Sequence, residues 1–232
     1  VLVIVQYFIP PPHPIDKPTL DASLPVTSPE KILNDYSSKN WESIPWIDRG
    51  IVSTMDLQNS PFLVLVGRMK SGKTREAAEL LRRAVDEGIV LGSHFYDITG
   101  VSREFDPTVI HSMLEKKLDR ESRTLFYLNE LPADVSQKRL DALDEYLKAL
   151  KNCHPGYFVA TVRSDHLENN PALQKWLKDH SVAQIRMQSL TPAQKGDLID
   201  VLRTQLDGWK EAFKQELIER SDGTPYHLIL IF

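Results

Sequence analysis

Residues Phe62 to Thr74, FLVLVGRMKSGKT, restrict the fold more than any other stretch of this chain. Five apolar residues, Phe62 to Val66, run without a polar break into Gly67-Arg68-Met69-Lys70-Ser71-Gly72-Lys73-Thr74. A run this short and this apolar reads as a strand buried on both faces, as in a parallel sheet. Arg75 to Glu87 follows, rich in Ala, Leu, Glu and Arg, with Ala77, Leu80, Leu81 and Ala84 on one helical face. Gly88 then stands where a helix-ending glycine belongs. The eight residues between strand and helix have the spacing G-x-x-x-x-G-K-[ST], that of a phosphate-binding loop.

The chemistry explains the spacing. A polyphosphate needs many donors at short range and no side chains in the way. Gly67 and Gly72 permit a tight turn, so the backbone N–H groups of Arg68, Met69, Lys70 and Ser71 can face inward as an anion nest. The helix that follows adds its free N-terminal N–H groups and the positive end of its dipole. Lys73 brings a point charge for the β- and γ-phosphates, and the Thr74 hydroxyl suits Mg²⁺.

The rest of the chain repeats the strand-then-helix pattern. Expected strands are Ile89–Ile98, Thr124–Leu128, Tyr157–Val162 and a more exposed Val182–Met187. Expected helices are Thr108–Arg120 (stripe Val109, Met113, Leu114, Leu118), Val135–Lys151 and Pro171–Asp179. From Thr191-Pro192 the pattern is helical only, with helices to about Leu206 and over Trp209–Arg220, then a turn at Ser221–Pro225. Before the first strand, Pro29–Tyr36 and Ile51–Asn59 suit short helices, and Trp41 and Trp46 suit packing against the domain. Alternation of this kind implies an α/β fold: three layers around a mostly parallel five-stranded sheet, followed by the start of a helical lid.

Three divisions follow: an apolar stub and proline-rich linker over 1–40, the α/β domain over 41–188, and a truncated helical segment over 189–232. Pro10 to Pro29 contains seven prolines and few large apolar residues, so it reads as an extended linker. Val1–Ile9 is too short to span a bilayer and reads as a strand, a stub, or the tail of a transmembrane helix. The absence of an initial methionine and the apolar run at Leu228–Phe232 suggest a piece of a longer protein. A net charge of -4 with no basic cluster argues against direct nucleic-acid binding. The single cysteine, Cys153, excludes an intrachain disulfide and fits a reducing, cytoplasmic setting.

A second constellation lies at the end of the third strand, where TLFYL runs into Asn129-Glu130. Phosphate-loop enzymes need an acid there for the Mg²⁺ shell, and a neighbour that orients the attacking water. Glu130 supplies a carboxylate. Asn129 can hydrogen-bond a metal-bound water but brings no charge. An ordinary strand end is the plain alternative. Arg163 directly follows the fourth strand, at the edge where open α/β sheets bind ligands. Sensing a γ-phosphate and lying in a surface ion pair remain equal readings for it.

In order, GRMKSGKT, LFYLNE, FVATVRS and Gly223-Thr224-Pro225 resemble the signal-transduction ATPases with numerous domains (STAND), relatives of NB-ARC and NACHT modules in the AAA+-like branch. Thr161-Val162-Arg163 matches that family's Thr-x-Arg sensor, and Leu190-Thr191-Pro192-Ala193-Gln194 its L-x-x-x-E/Q segment. The resemblance implies that Pro225 faces the adenine and that Arg49, ahead of the first strand, contacts the base. It also implies an ATP/ADP- and Mg²⁺-dependent signalling switch with slow hydrolysis. Partners would be other domains of a longer chain, protein partners or further copies of itself. Two rival functions remain: a non-catalytic nucleotide-binding scaffold, and a phosphoryl-transfer kinase.

Overall fold

The computed structural model describes residues 26–36, 46–99, 106–118, 123–153, 155–203 and 212–225. Five apolar segments form one sheet: β1 (Phe62–Gly67), β2 (Phe95–Asp97), β3 (Thr124–Leu131), β4 (Gly156–Arg163) and β5 (Ala183–Arg186). Their order is β2-β3-β4-β1-β5, and every pairing between them is parallel. β1 is therefore interior, with Val64 opposite Ala160 on one side and Gln184 on the other.

Alternation along β1 divides its side chains between two cores. Val64 and Val66 face a cluster with Phe126, Leu128, Phe158 and Ala160. Helices α4 (Pro107–Lys117), α5 (Gln137–Asn152) and α7 (Pro171–Asp179) cover that face with Ile110, Leu147 and Trp176 among others. Leu63 and Leu65 face the opposite cluster with Leu125, Tyr127 and Val159. There α1 (Pro29–Tyr36), α2 (Thr54–Asn59) and α3 (Lys73–Asp86) supply Ile32, Leu57, Leu80 and Leu81. The result is the three-layer α/β architecture expected from the sequence, with the α3 loop at the carboxyl end of β1.

Local chemistry sets the helix starts. Ser53 and Asp56 form a capping box on α2. Asp106 accepts from Thr108 N at 2.9 Å with Pro107 in the first turn of α4, and Asn170 accepts from Leu173 N at 3.0 Å ahead of Pro171 in α7. At α8 (Pro192–Arg203), Thr191 and Gln194 cap each other reciprocally, at 3.0 and 3.2 Å. α8 packs on α9 (Ala212–Arg220) through Leu198, Ile199, Leu217 and Ile218, joined by Leu190 and Ile47. The Lys195 ammonium closes the pair by donating to Ile218 O and Ser221 O at 3.0 and 3.1 Å.

The structure corrects several expected boundaries. The strand expected over Ile89–Ile98 is confined to Phe95–Asp97. Ile89 N and Val90 N are taken up by Ala84 O at the end of α3, and Gly92–His94 is a 3-10 turn. β3 runs three residues past Leu128, through Asn129 and Glu130 to Leu131. In α4 the fully buried positions include Ile110 and Leu114, while Val109 and Leu118 pack at the margin. Cys153 is buried at the end of α5, its thiol 3.6 Å from Ala149 O. No helix among the described residues is long and apolar enough to cross a membrane. The expectations for the apolar stub at 1–9, the linker up to Pro25, Trp41, and the stretches 204–211 and 226–232 lie outside the described residues.

β4 begins against the last turn of α5. A β-carbon on Gly156 would lie 2.1 Å from Leu150 O, far inside contact distance. Gly156→Ala should therefore lower stability by about 1–3 kcal/mol through forced backbone movement. Urea denaturation reads this directly, and a midpoint that does not move would show that the turn has slack.

Candidate functional site

The site gathers where β1, β3 and β4 end. At the β1–α3 turn the chain has to reverse within a few residues. Lys70 and Gly72 both take left-handed backbone conformations, with φ of 63° and 87°. Gly67 is packed so closely that a β-carbon would come within 2.8 Å of Met187 Cβ and 2.7 Å of Ser71 Oγ. Arg68, Met69 and Lys70 form the exposed tip, whereas Ser71 and Lys73 are buried. Ser71 Oγ has no hydrogen-bond partner among the described residues.

Lys73 opens α3 and folds back over the loop, donating to Gly67 O at 3.2 Å and Arg68 O at 3.0 Å. Burial pushes its ammonium below the ordinary lysine range. Glu130 pulls it back up, and Arg163 opposes that. One residue on, Thr74 Oγ1 donates to Asn129 Oδ1 at 3.2 Å. This bond joins the helix after β1 to the end of β3, although β4 lies between the two strands.

Asn129 is held from several directions. Its Oδ1 also lies 3.0 Å from Tyr127 Oη and 3.4 Å from Thr161 Oγ1, and its N–H donates to Thr99 Oγ1 at 2.7 Å. Glu130 follows in a left-handed conformation, φ 61°, and donates its N–H to Thr161 Oγ1 at 2.8 Å. The β3–β4 register slips here: Leu128 pairs with Ala160 but Leu131 with Val162, which leaves one extra residue in β3. This bulge re-aims the Asn-Glu pair. Glu130 Oε1 is buried without a partner among the described residues, beside a cavity of about 10 Å³ that Thr99, Leu131 and Arg139 help to line.

Arg163 ends β4 opposite Gly67 in register. Its guanidinium is engaged by Asp165 in the first turn of α6 (Ser164–Glu168), with Nε 3.0 Å from Oδ1 and Nη2 on Oδ2. That pairing holds Asp165 below the usual carboxylate range.

Arg49 reaches in from the segment before α2. It donates to Ser71 O at 3.0 Å and to Glu76 Oε2 at 3.3 Å. The Arg49 and Glu76 side chains are only 5% and 1% exposed, so this is a buried ion pair. Burial depresses the guanidinium pKa and raises that of the carboxyl, and each partner opposes the other's shift. Gly72 is the meeting point. A β-carbon there would lie 3.2 Å from Arg49 Nη2 and 3.6 Å from Pro225 Cγ. Pro225 is placed by Gly223, whose φ is 81° and whose carbonyl accepts from Leu190 N at 2.8 Å.

The structure thus brings together every residue singled out in the sequence: Gly67 to Thr74, Asn129, Glu130, Arg163, Arg49 and Pro225. It adds Glu76, Tyr127, Thr99 and Asp165 as their partners, and sets Thr161, of the Thr-x-Arg match, against Asn129 and Glu130. Tyr127 is readable as the same-face neighbour of Asn129 along β3. Glu76, 27 positions from Arg49, looks in the sequence like an ordinary polar helix residue.

No protein-family model matches the chain, and a sequence search of curated proteins finds no match. Its backbone, however, resembles several solved structures. A RuvB mutant from Thermotoga maritima aligns over 82% of this chain and 64% of its own, at 14% identity and a TM-score of 0.55. Hsp104 of S. cerevisiae, in a complex with casein, aligns over 88% of this chain and 38% of its own, at 13% identity and a TM-score of 0.55. Domain III of the replication initiation protein DnaA from Thermotoga maritima aligns over 77% and 78%, at 12% identity and a TM-score of 0.50. The comparison shows a shared fold, a three-layer α/β architecture around a parallel five-stranded sheet. The chain spans less than two thirds of the RuvB and Hsp104 chains.

Removing one partner of a buried ion pair strands the other charge. Arg49→Met and Glu76→Leu should each cost about 3–5 kcal/mol, while the two combined should recover most of the loss. A double-mutant cycle in urea checks this, and additive losses would show that the two side chains do not depend on each other.

Proposed function

We propose that this chain is an adenine-nucleotide-binding regulatory module of the ATPase type. The phosphates sit in the Gly67–Thr74 loop, and the base lies between the sheet domain (41–188) and a helical lid (189–232). One observation carries the reading: the loop with its buried Lys73 is joined to the end of β3 by the Thr74–Asn129 hydrogen bond, which brings the two segments that flank a polyphosphate in such folds to one place. Support for the base site comes from Arg49 and Pro225, which approach Gly72 from opposite sides of the sequence.

In this reading the loop N–H groups and the α3 N-terminus hold phosphate oxygens, and Ser71 Oγ is a further donor in the same loop. Lys73 transfers its hydrogen bonds from the Gly67 and Arg68 carbonyls to the phosphates. Glu130 orients the attacking water. Arg163 reads the γ-phosphate after giving up Asp165. Mg²⁺, when bound, would neutralise phosphate charge. The Thr74 hydroxyl fits it, but Asn129 does not fit as an acceptor for metal-bound water, since its Oδ1 already faces three hydroxyls.

The STAND resemblance supports a signalling switch that hydrolyses slowly and passes its state to neighbouring domains, protein partners or further copies of the chain. A cytoplasmic setting fits this role, with a membrane tether through the N-terminal segment as a variant. The neutral Asn129 favours a second reading, a scaffold that holds nucleotide without turning it over. No specific contact favours an acceptor kinase.

Lys73→Ala should weaken binding of a fluorescent ADP analogue by about tenfold or more, the scale of a lost charge-assisted contact. Unchanged affinity would overturn the reading. In single-turnover assays with ATP, wild type should hydrolyse below about 1 s⁻¹, at or under the low end of ordinary enzymes, and Glu130→Gln should abolish it. Undetectable hydrolysis in wild type would select the scaffold.

A further inference from the structure

The Thr74–Asn129 junction bears on how the phosphates are held. An amide oxygen carries two lone pairs. Asn129 Oδ1 has three hydroxyls around it: Thr74 Oγ1 at 3.2 Å, Tyr127 Oη at 3.0 Å and Thr161 Oγ1 at 3.4 Å. Thr161 Oγ1 accepts the Glu130 N–H, which leaves its own proton to donate toward Asn129. A phenol likewise offers a strong donor. With Oδ1 toward the three hydroxyls, the Nδ2 group points away from them. The oxygen is thereby saturated. What Asn129 has left to offer is an N–H₂ group, which donates to no described residue.

Two effects follow for any polyphosphate in the loop. A metal-bound water is a donor, so it finds no acceptor on Asn129. A carboxylate here would both accept from that water and repel bare phosphate, and Asn129 does neither. The local charges lean the same way. Lys73 is buried beside the loop, and Arg163 ends the strand paired with Gly67. Two carboxylates offset part of this charge: Asp165 pairs with Arg163, and Glu130, which also lines the small cavity, pulls on Lys73.

We infer that this site grips a nucleoside polyphosphate largely without Mg²⁺, and that Asn129 is the residue that sets this metal independence. The inference rests on the nucleotide-binding reading above and adds the state of the ligand: a metal-free nucleoside diphosphate or triphosphate. Asn129 acts as a specificity-determining residue, between metal-free and metal-complexed nucleotide.

The test is a fluorescence titration of the 232-residue chain with a fluorescent ADP analogue, in excess MgCl₂ and in EDTA. Wild-type affinity should differ by less than about threefold between the two conditions, too little for a bound metal to carry the phosphates. Asn129→Asp keeps the acceptor for the three hydroxyls but adds a negative charge. It should weaken metal-free binding by about tenfold or more and regain it with Mg²⁺. A wild-type affinity that falls tenfold or more on chelation overturns the inference, and this arm needs no variant to fold. Equal metal dependence in wild type and Asn129→Asp also overturns it, because Asn129 then sets nothing. Lys73→Ala separates the two levels of the argument. If it binds as tightly as wild type, the nucleotide site itself is misplaced; if it binds weakly while wild type needs Mg²⁺, only the metal independence fails.

Discussion

The structure depends on one strand being buried on both faces. Leu63, Val64, Leu65 and Val66 are each at most 1% exposed, so β1 must have a strand on each side and a helical layer above and below. Burial on both faces rules out an antiparallel sheet with one wet side, and parallel strands need crossover helices. Those helices fill the two outer layers. The same arrangement directs all five carboxyl ends to one edge, where the loop after β1, the Asn-Glu pair after β3 and the arginine after β4 come together. The site is thus a product of the sheet's direction as much as of the residues in it.

Short-range features are legible in the sequence and long-range ones are not. The Gly67–Thr74 loop is written in eight consecutive residues, and α7 opens on an Asn-Pro cap, so both can be placed from local rules. β2 cannot. Ile89 to Ile98 has a strand's composition, but Ala84 O claims the N–H groups of Ile89 and Val90. Competition for a hydrogen bond by a helix end leaves no trace in residue type. The bulge at Asn129-Glu130 is hidden for the same reason, since register is a relation between two strands. Gln194 gives the opposite lesson. It falls on a family-like pattern, and its visible work is to cap α8 together with Thr191.

The segment ahead of α2 ties the two parts of the fold together through alternating contacts. Trp46 stacks against the Arg83 guanidinium at 5.1 Å on the sheet side. Ile47 packs into the α8–α9 cluster. Arg49 returns to the phosphate loop and Glu76. Buried ion pairs are poor sources of net stability, because desolvation offsets most of their attraction. What Arg49–Glu76 supplies is a fixed position: the guanidinium bonds to Ser71 O and comes within 3.5 Å of Gln188 O, just after β5. The same short segment thus touches both the phosphate loop and the α8–α9 cluster.

Holding a nucleotide and hydrolysing it ask different things of this site. Holding needs groups close at hand: the left-handed turns at Lys70 and Gly72 and the α3 N-terminus are in place, and the Lys73 ammonium lies over the loop, bonded to its carbonyls. Hydrolysis needs rearrangement. Arg163 is occupied in two contacts with Asp165, and the role proposed for it would require exchanging that carboxylate for a phosphate. Glu130 sits at a strained backbone position, with one carboxylate oxygen buried beside a cavity barely large enough for one water. Asn129 contributes no charge to steady a metal. On the proposed roles, each of these stands against the chemical step rather than against the phosphate grip. On the nucleotide-binding reading, the bound state outlives the catalytic step, which is the property a switch requires and an efficient hydrolase does not.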